Sequence, residues 1–208
     1  MEISEERQHQ IFDYWNRYTN NIQLANALFN CEISGFGRSY LKKQLEQGHL
    51  QQCIQEYFNN FLNYEKEGKG LFIFGKNNTG KTIAITILAK NIVMMKNPLL
   101  LNNFSCKFFL YDDLTRLSLD GKSFSILEPI IKQTDILVLD NIGNETGLKT
   151  AGKSSVSLLD NILRNREMNE KITWLTSNID LNEIGNIYTE VIASIIKRNC
   201  KLINSSIY

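Results

Sequence analysis

The fold is decided by the stretch Leu71-Phe72-Ile73-Phe74-Gly75-Lys76-Asn77-Asn78-Thr79-Gly80-Lys81-Thr82. Its last eight residues match G-x-x-x-x-G-K-T, the pattern of a phosphate-binding loop. The four apolar residues before the loop have the composition of a buried parallel strand. After the loop, apolar residues recur at helical spacing: Ile83, Ala84, Ile87, Leu88 and Ile92. Strand, glycine loop and helix in this order are the context that such a loop requires.

The loop residues have separate expected roles toward a nucleotide. Its glycines let the backbone curl, so that loop N–H groups and the helix N-terminus point at phosphate oxygens. Lys81 is expected to reach the β- and γ-phosphates, and the Thr82 hydroxyl is expected to hold Mg²⁺. The alternative is a glycine-rich turn between strand and helix. The predicted nucleotide-binding set is Gly75, Asn77, Asn78, Thr79, Gly80, Lys81 and Thr82.

A second apolar run, 134–140, reads as a buried strand that ends in the carboxylate of Asp140. In a protein with a phosphate-binding loop this is the Walker B strand, and Asp140 would hold Mg²⁺ through its water shell. An aspartate at a strand end can also simply cap the next turn. The loop upstream favours the metal role, so Thr82 and Asp140 are the predicted metal residues.

The residue after Asp140 is Asn141, where many ATPases with this loop carry a second acid. That acid polarises the attacking water, whereas an amide can orient water but cannot take its proton. Glu145 lies four positions further on and is a candidate substitute. This substitution is the first indication of weak hydrolysis.

A third element, 171–178, is an apolar strand that ends in small polar residues. Asn178, or Thr176, is expected to reach the γ-phosphate or its attacking water from an adjacent strand, the role called sensor 1. The alternative is a hydrogen-bonding turn at a strand end, but the position behind two other elements favours the sensor. The predicted catalytic set is Lys81, Asp140, Asn141, Glu145 and Asn178.

Size and charge restrict the function classes. The chain has 208 residues, 43% hydrophobic and 22% charged, which fits one globular domain with a buried core. A formal charge of +1 argues against a protein that binds nucleic acid over its whole surface.

Cysteine spacing and the lack of long apolar runs point to a reducing compartment. The four cysteines, Cys31, Cys53, Cys106 and Cys200, form no C-x-x-C pair, and their spacing favours buried thiols over zinc ligands or disulfides. The start of the chain is polar and acidic, unlike a signal peptide. No eighteen apolar residues run together, so we expect a cytoplasmic protein that does not contact membranes.

Residues 1–66 are predicted to be a helical N-terminal segment. Their apolar residues recur at helical spacing, and the aromatic stripe is predicted to face the core, with a binding surface as the alternative. The residues concerned are Ile11, Trp15 and Tyr18 on one face, and Leu50, Ile54, Tyr57, Phe58, Phe61 and Leu62 in a later amphipathic stretch. From residue 67 strands and helices alternate, which predicts an α/β core with a parallel sheet covered on both faces. The predicted strands are 70–74, 105–111, 135–140, 171–177 and 200–207. The predicted helices are 81–95, 112–119, 124–132, 153–168 and 188–198.

Three segments, 70–82, 135–145 and 176–178, resemble the DnaC/DnaI/IstB-like AAA+ ATPases. The most specific parts are the Asp-x-Ile-Gly-x-Glu string after the Walker B strand and the Thr-Ser-Asn triplet. Arg166 also falls where this group carries an arginine ahead of the sensor strand. The resemblance covers about residues 50–208.

The resemblance implies an AAA+ core at 67–208, with a five-stranded parallel sheet ordered 5-1-4-3-2. Because the sequence ends at Tyr208, we expect no sizeable C-terminal lid. Such proteins load replicative helicases onto DNA or assist transposases, bind ATP between subunits and hold single-stranded DNA inside an oligomer. The implied cofactors are therefore ATP and Mg²⁺. The implied partners are a replicative helicase through 1–66, further copies of the chain, and single-stranded DNA. The DNA-facing candidate is 115–122, where a solvated helix–turn is the alternative.

Two departures from the family pattern point the same way. One is Asn141, and the other is the pair Val191 and Ile195, which stand where the family places arginines in a Glu-Arg-Ile-x-Ser-Arg pattern. Such arginines neutralise developing phosphate charge in a neighbouring site and are worth about 10³–10⁵ in rate. Lys197 and Arg198 follow one turn later, out of register. The sequence therefore predicts ATP binding with weak hydrolysis.

Four functions remain open at this point. The first is a helicase-loader-like factor, and the second is a hydrolysis-poor module that regulates a host loader or helicase. The third is an IstB-type transposase helper, which shares all three motifs. The fourth, a small-molecule kinase, would need an arginine-rich lid and an acceptor pocket, and neither is found.

Overall fold

Five parallel strands form the centre of the structure, a computed structural model that describes residues 4–95, 105–144 and 152–207. Their spatial order is β2-β3-β4-β1-β5, which confirms the predicted sheet. The strands are β1 (Gly70–Phe74), β2 (Cys106–Leu110), β3 (Ile136–Ile142), β4 (Ile172–Ser177) and β5 (Cys200–Asn204). Two strand ends differ from prediction by more than one residue, since β3 continues two residues past Asp140 and β5 stops three residues before position 207.

The described residues also form eleven helices. Those before the sheet are α1 (Glu5–Tyr18), α2 (Ile22–Ile33), α3 (Arg38–Leu41), α4 (His49–Asn59) and α5 (Phe61–Lys66). Those between strands are α6 (Lys81–Met94), α7 (Tyr111–Leu119), α8 (Gly121–Gln133), α9 (Lys153–Met168), α10 (Leu181–Ile187) and α11 (Glu190–Asn199). Sequence reasoning missed α10, although Asp180 and Glu183 form the capping box that signals its start. Among the described residues no helix follows β5.

One face of the sheet packs against α6 and the N-terminal helices. Leu71 and Ile73 of β1 belong to this core together with Trp15, Tyr57 and Phe61, all of which are fully buried. Most of the predicted stripe therefore faces the core, whereas Tyr18 and Leu62 are exposed, at 50% and 37%. On one side α6 contacts the sheet, and on the other it contacts α2, α3 and α4. It therefore lies between the sheet and these N-terminal helices. Whether 1–66 acts as a partner-binding region stays a prediction.

The other face packs against α7 to α11. Phe72 of β1 and Leu175 of β4 point to this side, because successive residues of a strand face opposite sides of the sheet. They form a core with Leu159, Ile192 and other aliphatic residues of the covering helices. The two separate cores account for the nearly continuous apolar runs seen in the strands.

Parallel strands bring their carboxyl ends to a single edge of the sheet, and this edge positions the candidate site. Phe74 at the end of β1 pairs with Ser177 of β4 on one side and with Asn204 of β5 on the other. Ligands of open α/β sheets bind outside this edge. In the described ranges, no helix is long and apolar enough to cross a membrane.

Candidate nucleotide-binding site

The loop between β1 and α6 turns sharply at three residues. Gly75, Asn78 and Gly80 have φ angles of 141°, 62° and 86°, in the left-handed region. Glycine enters this region without a steric penalty, and asparagine tolerates it better than most residues. Such turns aim successive backbone N–H groups toward one point, which is the arrangement that binds phosphate.

Lys81, the first residue of α6, turns its side chain back into this loop. Its Nζ donates to the carbonyl oxygens of Gly75 at 2.7 Å and Lys76 at 2.6 Å. An ammonium has three donors, so one remains for a ligand oxygen. Burial lowers the pKa of Lys81, while the Asp140 charge acts in the opposite direction. The contacts place a cation at the centre of the loop.

Thr82, Asp140 and Thr176 meet beside that lysine. The Thr82 hydroxyl donates to both Asp140 carboxylate oxygens, at 3.0 and 3.1 Å, and the Thr176 hydroxyl donates to Oδ1 at 2.6 Å. Burial raises the pKa of Asp140, opposed by the hydrogen bonds from Thr176 and Thr82 and by the Lys81 charge. The structure therefore brings together the two residues that the sequence predicts for Mg²⁺, Thr82 and Asp140.

Asn141 and Asn178 form an amide pair at the same edge. Asn178 Nδ2 donates to Asn141 Oδ1 at 3.1 Å, and the backbone N–H of Asn141 donates to the Thr176 hydroxyl at 2.8 Å. Asn141 has φ 67° at a register shift between β3 and β4. Since Thr176 is buried against Asp140, only Asn178 of the two sensor candidates lies toward the half-exposed surface.

Two solved structures are similar to this one over most of their length. The structure is similar to DnaI, with a TM-score of 0.68 over 82% of this chain and 94% of that chain, at 19% identity. It is also similar to the DnaC helicase loader, with a TM-score of 0.64 over 81% of this chain and 99% of that chain, at 22% identity. The chain has a DnaC-like AAA+ fold.

A third similar structure is the replication initiator DnaA bound to AMPPCP and single-stranded DNA. Its TM-score is 0.61 over 82% of this chain and 50% of that chain, at 16% identity. No protein-family model matches the chain, and no curated protein sequence matches it. At these identities the likeness establishes the AAA+ fold, so the roles of individual residues rest on the site geometry.

The two positions that lack arginine lie in different surroundings of this AAA+ fold. Val191, in the first turn of α11, is 48% exposed, whereas Ile195 is 4% exposed in the core of the second face. Of these two positions, only 191 therefore presents its side chain at the surface. Arg198, the out-of-register alternative, is ion-paired with Glu167 at 2.6 Å, and Lys197 is exposed.

Arg166 lies at the far end of the sheet. It is 1% exposed, and its guanidinium donates to the Thr173 hydroxyl and to the carbonyls of Ile131, Thr134, Asp135 and Ile172. Burial lowers its pKa to about 10. Five residues of strand separate Asp135 from Asp140, roughly 16 Å at the rise of a β-strand. Arg166, on α9, therefore links α8 to the starts of β3 and β4, and it does not reach the phosphate-binding loop. Glu145, the candidate substitute base, falls outside the described residues.

Sequence reasoning missed two sets of residues at the site edge. Ser205 and Ser206, which follow β5, contact the nucleotide loop directly, and Tyr188 accepts a hydrogen bond at 2.8 Å from the Gly143 N–H. The strand order implied by the resemblance placed β5 beside β1. Because residues after adjacent parallel strands meet at the same edge, this order could have predicted that the two serines lie near the loop.

Proposed function

We propose that this chain is a cytoplasmic, ATP- and Mg²⁺-binding replication factor of the helicase-loader type that hydrolyses ATP poorly by itself. One observation carries the proposal: Lys81, Thr82 and Asp140 lie together at the carboxyl edge of a DnaC-like AAA+ sheet. A hydroxyl and a carboxylate are the hard oxygen donors that Mg²⁺ prefers. The donor set therefore fits the metal.

Each of these residues has a defined task toward Mg-ATP. The loop N–H groups and the Lys81 ammonium would bind the phosphates, the Thr82 hydroxyl would hold Mg²⁺, and Asp140 would accept hydrogen bonds from water on the metal. When bound, Mg²⁺ would supply positive charge that offsets the charge of the phosphate oxygens. Asn178 orients the γ-phosphate or the attacking water from β4.

Poor hydrolysis follows from what surrounds the γ-phosphate position. Asn141 has no basic atom, and its amide oxygen already accepts from Asn178. A positioned general base contributes about 10²–10⁴ in rate, and an arginine from a neighbouring subunit contributes about 10³–10⁵. Asn141 reduces the first contribution. Val191, at the exposed position where the family carries an arginine, reduces the second. ATP then acts as a ligand that favours one conformation of the protein.

The proposed partner is a replicative helicase, contacted through the helices of residues 5–66. Three of those helices, α2, α3 and α4, pack on α6, whose first residues are Lys81 and Thr82. Leu45, in the α3–α4 connection, lies beside Gly80 of the nucleotide loop. This shared element supports partner binding that depends on the nucleotide state.

The decisive experiment combines nucleotide binding with co-purification. Fluorescent N-methylanthraniloyl-ATP is titrated into wild type and Lys81→Ala with and without Mg²⁺, and turnover is measured on the same samples. We expect Mg²⁺-dependent binding that Lys81→Ala abolishes, with turnover below about 0.1 s⁻¹ against typical values of roughly 1–10³ s⁻¹. Ordinary turnover that Lys81→Ala abolishes would refute poor hydrolysis.

The partner is tested by co-purification with the cognate replicative helicase, with ATP, with ADP and without nucleotide. An ATP-dependent complex, with its mass read by light scattering, supports the loader-type proposal and reports self-association. No complex in any condition contradicts it and moves the assignment to a transposase helper. Exposed Arg17→Ala serves as a surface control for nucleotide binding, because it lies on α1, which packs on α2.

A second candidate function is a regulatory module that occupies the interface of a host loader or helicase. The observation that favours it is the burial of Ile195 together with the aliphatic Val191, since the α11 surface then lacks the residues that complete a neighbouring site. Val191→Arg separates the two functions. It should raise turnover in an oligomer of this chain and leave an inhibitory complex unchanged.

Single-stranded DNA contact near 115–122 belongs to the same proposal. Arg116 there is paired with Asp112, so part of its charge is already neutralised and the contact is weak. Fluorescence anisotropy of a labelled oligonucleotide at low and high salt tests it. Binding that does not weaken with salt, or no binding at low salt, removes the assignment, because phosphate contacts release counterions.

A further inference from the structure

Two serines just after β5 lie against the nucleotide loop. The parallel pairing of β5 with β1 ends at Asn204 opposite Phe74. It is then extended by one further bond, from the Ser205 N–H to the Phe74 carbonyl at 2.8 Å. The turn at residues 205–206 therefore runs beside the loop from its first residue.

Both serine hydroxyls bond to loop residues. Ser206 Oγ accepts from the Lys76 N–H at 2.8 Å. Ser205 Oγ lies 2.6 Å from the Thr79 hydroxyl, where either oxygen can donate, and 3.0 Å from the Phe74 carbonyl to which it donates. Ser205 is only 7% exposed, so these bonds face little competition from water. The loop is thus held at its second and fifth residues.

The first loop glycine is what admits this contact. A Cβ on Gly75 would lie 2.6 Å from the hydroxyl oxygens of both Ser205 and Ser206. That distance is far inside van der Waals contact, so any larger residue would push the serines off the loop. Gly75 therefore serves two purposes, a left-handed turn and the close approach of the β5 end.

The serine contacts are linked through Lys76 to Lys81, the residue proposed to bind the phosphates. Ser206 fixes the N–H of Lys76, and the carbonyl of that same residue accepts from Lys81 Nζ at 2.6 Å. The Thr79 hydroxyl also lies 3.0 Å from the Lys76 carbonyl oxygen, so the Ser206 contact and the Ser205–Thr79 contact both lead to Lys76.

We infer that Ser205 and Ser206 are positioning residues that keep the phosphate-binding loop and Lys81 in their ligand-ready arrangement. This inference rests on the proposed ATP binding. Without the hydroxyls the loop samples more conformations, and binding must then restrict them at a cost in affinity. From the usual net worth of a hydrogen bond, each serine should change nucleotide affinity by about two- to tenfold.

The test uses the full chain and N-methylanthraniloyl-ATP and -ADP in Mg²⁺. We expect Ser205→Ala and Ser206→Ala each to weaken both nucleotides by about two- to tenfold, and the double variant by about tenfold or more. Affinities for ATP and ADP should fall by the same factor, because the loop grips phosphates common to both. Ser206→Thr, which keeps a hydroxyl, should restore binding. Ser154→Ala, on the exposed start of α9, is the matched control.

Two further measurements separate positioning from general destabilisation and from failure of ATP binding itself. Amide exchange in residues 76–82 of the nucleotide-free protein should accelerate in the double variant, while the melting temperature of Ser206→Ala stays at the wild-type value. If affinity falls only in step with melting temperature, the inference is overturned. The same holds if wild type and double variant bind equally. A wild type that binds no nucleotide overturns the proposed function instead, and loop exchange then still reports whether the serines hold the loop.

Discussion

Ile195→Arg should lower the free energy of unfolding far more than Val191→Arg. The two substitutions restore the two family arginines, but Ile195 is 4% exposed among aliphatic side chains, whereas Val191 is 48% exposed. They lie four residues apart on the same helix, α11, so helix propensity contributes little to the difference.

The magnitude follows from burial. Removing the buried isoleucine side chain forfeits about 1.5–3 kcal/mol of hydrophobic stabilisation. Fitting a longer side chain into a packed core adds about 1–3 kcal/mol. Ile195→Arg should therefore cost about 3–5 kcal/mol, a large part of the ~5–15 kcal/mol by which domains are stable. For a chain of this size that is a fall of about 6–20 °C in melting temperature.

Urea and thermal unfolding followed by tryptophan fluorescence measure this difference, because Trp15 and Trp174 are fully buried in the other core. Val191→Arg should stay within about 0.5 kcal/mol of wild type. Equal stabilities for the two variants would show that Ile195 is not packed as described, and the argument that, of these two positions, only 191 presents its side chain at the surface would fail. Under that argument Val191→Arg alone raises ATP turnover.

Three other predictions concern single residues. Asn141→Asp should raise turnover by about 10²-fold, because it supplies a base and aspartate tolerates φ 67°; unchanged single-turnover hydrolysis would contradict this. Asp140→Asn should stabilise the nucleotide-free protein at neutral pH, since burial raises the Asp140 pKa and penalises the charged form. In urea titrations at several pH values that gain should vanish as acid protonates Asp140, and nucleotide binding should lose its Mg²⁺ dependence. Arg166→Met should cost about 3–5 kcal/mol by leaving buried carbonyls unpaired, while exposed Arg164→Met stays within about 0.5 kcal/mol by the same measurement.

Local patterns made the fold and most of the site predictable. The G-x-x-x-x-G-K-T loop needs a strand before it and a helix after it, and apolar runs alternating with helical periods specify a covered parallel sheet. The strand ends then indicate which polar residues meet, because parallel strands share one carboxyl edge. Lys81, Thr82, Asp140 and Asn178 were found in this way. The short α10 was missed because its seven residues carry too weak an apolar period, although its capping box was legible.

Other features depended on contacts between residues distant in sequence. Whether Arg166 faces a nucleotide or the far end of the sheet, and whether Ile195 faces solvent or the core, is set by which element packs on which face. Likewise the two serines reach the loop across about 130 residues of chain, only because β5 lies beside β1. Periodicity and motifs report the preference of each segment, whereas the surroundings of one side chain depend on the joint packing of segments that share no local signal. The sequence alone therefore determined the fold class and the elements of the candidate nucleotide site, and the tertiary structure decided which polar and charged residues lie together there.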